Sequence, residues 1–173
     1  NATIACEAWD PSIKSNMTFS HPWGASAGNI IVRHTFGVQP LEAGFGKLQI
    51  KPQLGSLEYG TLKTPTIKGS VVVSVQNPQD GAGFTMTTTT PANTVAQVYV
   101  PAAGSEIDIL LVAGVAVHAQ REGDFLVVEV GSGAHSFTLS NGVTMVTPDG
   151  TEVSAADPIT AWKTGKYSHI KLY

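Results

Sequence analysis

At 173 residues and 42% hydrophobic content, the chain is long enough to bury one core of ordinary size and to carry an appendage. Charged residues are 13%, the formal net charge is −3, and Lys and Arg are scattered singly, which excludes the basic footprint that nucleic acid or an anionic membrane demands. The longest apolar run, Ile107 to Val117, is interrupted by Asp108 and Gly114 and is too short to span a bilayer, and Cys6, the one cysteine, allows no intrachain disulfide.

In chain order, residues 1–18 come first. Asn1-Ala2-Thr3 and Asn16-Met17-Thr18 are glycosylation sequons, which matter only if the chain is secreted; the sequence does not fix its localisation. Cys6 reads as a buried, inert thiol. Glu7 on composition alone reads as a solvated surface acid. Asp10, before Pro11 and Ser12, fits ordinary turn chemistry.

A short helix follows. Ser20 is placed to cap it, Pro22 suits a first turn, no proline interrupts Ala25 to Phe36, and Gly37 should stop it. By residue type, His21 is a first-turn residue and Trp23 a packing anchor. Ala27, Ile31 and His34 fall on one side, Ala25, Val32 and Phe36 on another, and Ile30 between them, so the helix is apolar nearly all round. Ile30, Ile31, Val32 and Phe36 cannot all face one sheet, which predicts that the isolated chain shields part of this surface by self-association.

Pro40, Gly44 and Gly46 then break the chain, and from Lys47 the apolar period changes from helical to two. Expected strands are Lys47 to Lys51, Leu57 to Lys63, Ile67 to Val75, Gly83 to Thr90, Thr94 to Val100, Ile107 to Leu111, Val115 to Gln120, Phe125 to Val130 and His135 to Leu139. Prolines, glycines and Asn141-Gly142 divide them, a rhythm that predicts a mainly β fold, an antiparallel two-sheet sandwich preceded by an arm with one helix. The expected division is 1–46 for the arm and helix, 47–140 for the sandwich and 141–173 for a tail adding one or two strands. Within the tail, Glu152 to Pro158 reads as loop, and Trp162 and Tyr167 as aromatics covering a sheet edge or core, or as a sugar platform.

Other chemistry finds no foothold. His118, His135 and His169 lack Cys or acidic partners at metal-ligand spacing, so no metal is expected. Gly44-Phe45-Gly46 lacks the third glycine and strand-turn-helix context of a dinucleotide site, and no G-x-S-x-G elbow is present; no cofactor is expected.

The stretch SHPWGASAGNIIVRHTFGVQPLEAGFGKLQIKPQLGSLEYGTLKTPTIKGSV, beginning at Ser20, resembles the end of the catalytic domain of bacterial and fungal α-L-rhamnosidases, glycoside hydrolase family 78. The resemblance runs from about Thr3 to Val75 and continues more loosely to Leu139; residues 141–173 do not match. Ala27 and Ala43 stand where the family usually shows proline. The resemblance implies that the helix is the last of an upstream (α/α)6 barrel and that the β part is the C-terminal sandwich. Thr3-Ile4-Ala5-Cys6-Glu7-Ala8-Trp9 resembles the family's T-x-x-x-E-x-W segment, which implies that Glu7 is the general base of an inverting mechanism. Such a base activates water across the sugar from an acid partner roughly 6.5–9.5 Å away. It further implies that His21 contacts rhamnose hydroxyls and that Trp9 and Trp23 supply apolar walls.

Two readings follow. In the first, the chain is the C-terminal piece of a rhamnosidase and is inactive alone, because the acid partner lies upstream of Asn1. In the second, it is a free-standing sandwich that binds carbohydrate or a protein, with the arm as a docking element.

Overall fold

A computed structural model describes residues 6–78, 83–102, 109–140, 143–146, 152–155 and 169–172. Asn1, Trp162 and Tyr167, and the side chain of Trp23, lie outside the described residues.

The expected helix is present as three joined pieces. A 3-10 turn, Pro22–Ala25, runs into α1, Ser26–Ile30, and then into a π-turn, Ile31–Thr35. Nothing in the sequence signals the π-turn. The helix ends at Gly37 as expected: Gly37 is left-handed, with φ 67°, and the Val38 amide donates to the Val32 carbonyl at 2.9 Å. That bond spans six residues, one more than a Schellman closure, because the last turn is already π-wide; Val38 lies in the core and Val32 packs against it.

Two sheets follow. One has the order β1 (Gln39–Pro40), β2 (Lys47–Ile50), β6 (Val95–Pro101), β10 (Phe125–Val130) and β9 (Gln120–Glu122). The other has the order β3 (Tyr59–Thr66), β4 (Gly69–Gln76), β5 (Thr85–Thr90), β11 (Gly133–Ser140), β7 (Ile109–Val112) and β8 (Val115–Val117). All their pairs are antiparallel except β2 with β6. The chain leaves β2, builds three strands of the opposite sheet and returns, and only so long a crossover lets two strands of one sheet run in the same direction.

Alternation along the strands builds the core between the sheets. Leu48 and Ile50, with Ala96, Val98 and Val100, point inward from the first sheet; Val71, Val73, Val75, Met86, Leu110 and Phe137 meet them from the second. Each fully buried side chain of this size contributes about 1.5–3 kcal/mol by leaving water. On the outward face of the first sheet, Lys47 pairs with Glu129 at 2.5 Å. Beside it the Lys51 ammonium lies 4.7 Å from the ring centres of both Tyr99 and Phe125.

Several element limits differ from the expectation for identifiable reasons. Ile67 lies in the turn between β3 and β4, which the Thr66 hydroxyl closes by donating to the Gly69 carbonyl at 2.7 Å. Pro65 remains within β3, because among the described residues β3 is an edge strand paired with β4 alone and a missing N–H costs little there. Val115 to Gln120 is two strands, not one: the chain bends at His118 and Ala119, carrying β8 and β9 into different sheets. β12 (Val143–Val146), β13 (Glu152–Ala155) and β14 (His169–Leu172) pair into a separate three-stranded sheet, so the start of the Glu152 to Pro158 loop is a strand.

Candidate functional site

The arm ahead of the helix is folded back on itself. The Glu7 amide donates to the Thr18 carbonyl at 3.0 Å, closing a loop whose interior is turned by Ile13 N–H to the Asp10 carbonyl at 3.0 Å and Met17 N–H to the Lys14 carbonyl at 3.1 Å. Asp10 is absorbed by this turn chemistry, since its Oδ1 accepts from the Ser12 amide at 2.8 Å.

Closure places Glu7 among donors. Its Oε1 is paired with the Lys14 ammonium, and its Oε2 accepts from the Thr18 amide at 2.9 Å. The Nδ1 of His21 lies 3.9 Å from the same Oε2 and 2.8 Å from the Thr18 hydroxyl. The Glu7 side chain is 9% exposed, although every partner named here belongs to the arm and none to the sandwich. The Lys14 hydrogen bond, followed by the Thr18 amide, holds its carboxyl below the ordinary value of 4.5, so it is ionised across the neutral range.

The remaining sequence candidates lie close by. Cys6, Glu7, Ala8 and Trp9 form one wall of an open groove of about 690 Å³, and Gly24, Ser26, Ala27 and Ile30 of the helix form the other. Trp9 is fully exposed at its edge, and the helix wall combines three small residues with the half-exposed Ile30. Trp23 belongs to the 3-10 turn that leads into this wall. No helix residue from Ser26 to Thr35 is fully buried; Ile30 and Ile31 remain about half exposed, whereas Val32 packs on the core and Phe36 is buried in it. Among the described residues, no three His, Cys, Asp or Glu side chains gather at metal-binding distances.

Lys14 and Thr18 are the site residues that the sequence reading passed over. Lys14 is the one cation in residues 1–18, which was the available signal. Its spacing of seven from Glu7 carries no meaning without helical or strand periodicity, so only the folded loop brings the two together.

The arrangement stands beside recognisable relatives. Residues 37–108 match the bacterial alpha-L-rhamnosidase C-terminal domain. An alpha-L-rhamnosidase of Streptomyces avermitilis is 31% identical over 146 residues, covering 80% of this chain and 14% of its own length. Among solved structures, the alpha-L-rhamnosidase of Dictyoglumus thermophilum superposes with a TM-score of 0.70 at 25% identity, over 80% of this chain and 16% of that one. The Streptomyces avermitilis enzyme complexed with L-rhamnose gives 0.64 at 27%, over 79% and 14%. The chain thus spans about a sixth or less of the length of these relatives. A rhamnosidase of Aspergillus terreus, 23% identical, shares the fold with a TM-score of 0.58. By its sandwich, which is the C-terminal domain of these glycoside hydrolases, the chain belongs to the α-L-rhamnosidase family.

Proposed function

We propose that this chain serves as the C-terminal part of an inverting α-L-rhamnosidase, in which Glu7 is the general base that activates water. The observation that carries the reading is the Glu7 carboxylate itself, ionised and fixed at two oxygens, on the wall of a groove next to His21 and just ahead of a rhamnosidase C-terminal domain. A base must be anionic before it takes a proton from water, and a carboxylate oxygen that accepts one hydrogen bond retains a further lone pair for that water.

In this reading His21 and the Trp9 and Trp23 indoles face the rhamnosyl ring, and residues 1–46 complete an (α/α)6 barrel upstream of the 47–140 sandwich and the 141–173 tail. The barrel supplies the acid partner, since Asp10 is held in a turn by Ser12. The 173-residue chain alone then releases no nitrophenol from an aryl α-L-rhamnoside, and in the absence of the barrel Ile30 and Ile31 associate with another copy.

Proton NMR of the first-formed rhamnose from the intact enzyme tests the mechanism. Inversion yields the β anomer before mutarotation; α-rhamnose as first product contradicts it.

A further inference from the structure

The 7–18 loop has no core of its own, yet several backbone bonds and one Asx turn fold it, and the product of that folding is a lysine on a carboxylate. We propose that Lys14 is the positioning residue of Glu7, delivered by the loop to fix the carboxylate in the orientation in which it works on water. The proposal rests on the reading of Glu7 as the base.

Three features of the geometry carry it. First, Lys14 and the Thr18 amide divide the two carboxylate oxygens between them, Lys14 on Oε1 and Thr18 on Oε2 at 2.9 Å, which fixes the terminal torsion that a single bond would leave free. Second, among the described residues Lys14 is the cation seated on Oε1. His21 lies on the side of the other oxygen, 3.9 Å from Oε2, and engages the Thr18 hydroxyl; the opposite wall of the groove, Gly24, Ser26, Ala27 and Ile30, has no titratable side chain, and Cys6 beside Glu7 has no positive charge to give. Third, Thr18 serves twice, anchoring Glu7 by its amide and His21 by its hydroxyl, so the loop sets both groups in one frame.

The pairing has a direction in pH. Because the folded carboxyl lies below its ordinary value of 4.5, the stabilisation that the pair lends the loop is present above that value and is lost as pH falls through the lowered one. Lys14 is 42% exposed, so dissolved salt screens the pair and should raise the Glu7 midpoint in the wild type.

The test measures the Glu7 carboxyl titration by carbon-13 NMR in the 173-residue chain, for the wild type, Lys14→Met and Lys14→Arg. It is paired with the pH profile of turnover in the intact enzyme. Lys14→Met should move the Glu7 midpoint upward and abolish its salt dependence, and Lys14→Arg should restore both. In the enzyme the acidic limb of kcat should move up with the same variant while KM changes less than about twofold, the pattern expected when binding is spared. A Glu7 midpoint that is the same in Lys14→Met and wild type, with the amide spectrum of the sandwich unchanged, overturns the proposal whatever the role of Glu7. A midpoint that moves while Glu7→Gln leaves turnover intact keeps the clamp but overturns its catalytic purpose, and with it the reading of Glu7 as base.

Discussion

Replacing Gly37 by alanine should sever the arm from the sandwich, and the structure gives the size of the effect. Gly37 has φ 67°, which costs a residue with a Cβ about 1–2 kcal/mol. A Cβ built there would also stand 2.0 Å from the Lys51 carbonyl oxygen and 2.6 Å from its nitrogen, where ordinary contact begins at 3.4 Å. The neighbour is backbone, so helix end and β2 must part by over an ångström. That movement breaks the bonds stitching them, Lys51 N–H to Gly37 at 3.3 Å and Gln53 N–H to Thr35 at 2.8 Å, each worth about 1 kcal/mol. The sum, about 3–4 kcal/mol, approaches the severe tail of single substitutions. Gly44→Ala is the internal control, because Gly44 has the same left-handed backbone, φ 70°, with nothing within 4 Å of its added Cβ. Urea midpoints followed by circular dichroism should place Gly37→Ala about 2 kcal/mol below Gly44→Ala, the two bonds left when the shared backbone cost is removed. Two variants within about 1 kcal/mol of each other would refute the close-approach argument, since only the backbone cost would then be at work.

Two further outcomes follow from burial. The Thr88 hydroxyl is buried in the core without a hydrogen-bond partner among the described residues, so Thr88→Val should stabilise by about 1 kcal/mol. In a chain of this size that raises Tm by about 2–4 °C in a calorimetric scan, and a lowered Tm would mean that the hydroxyl is satisfied. Ile31→Asp should shift the isolated chain toward monomer in analytical ultracentrifugation while leaving its fold intact, because Ile31 is half exposed; Phe36→Asp should unfold it, because Phe36 is 6% exposed. A wild-type chain that sediments as monomer at high concentration removes the basis for association through this helix.

The features legible in the sequence were those that local chemistry decides. Gly37 was readable as the helix stop because only glycine sits easily at positive φ, and the alternation from Lys47 was readable because Leu48 and Ile50 face a core while Lys47 and Gln49 do not. What was not readable depends on partners distant in the chain. Pro65 looks like a strand breaker until β3 is known to be an edge, and Val115 to Gln120 looks continuous until two sheets compete for its halves. The parallel pairing of β2 with β6 likewise follows from topology and not from either strand's composition.

The site divides in the same way. Glu7 and Trp9 were named from a motif and His21 and Trp23 from the wider family resemblance, and the fold places Glu7 and Trp9 on one groove wall with His21 near the Glu7 carboxylate. Lys14 was missed because an irregular loop has no period to reveal which residues meet. Phe36 and Ile31 were treated as equivalent apolar residues, and only the packing separates the buried one from the exposed one.

The most direct test of the central claim is steady-state turnover of an aryl α-L-rhamnoside by the intact enzyme with Glu7 replaced by glutamine. The amide keeps the shape of the side chain and loses the base, so kcat should fall by about 10²–10⁴-fold while KM stays close to that of the wild type. Turnover within a few-fold of wild type would contradict the assignment of Glu7 as the group that activates water.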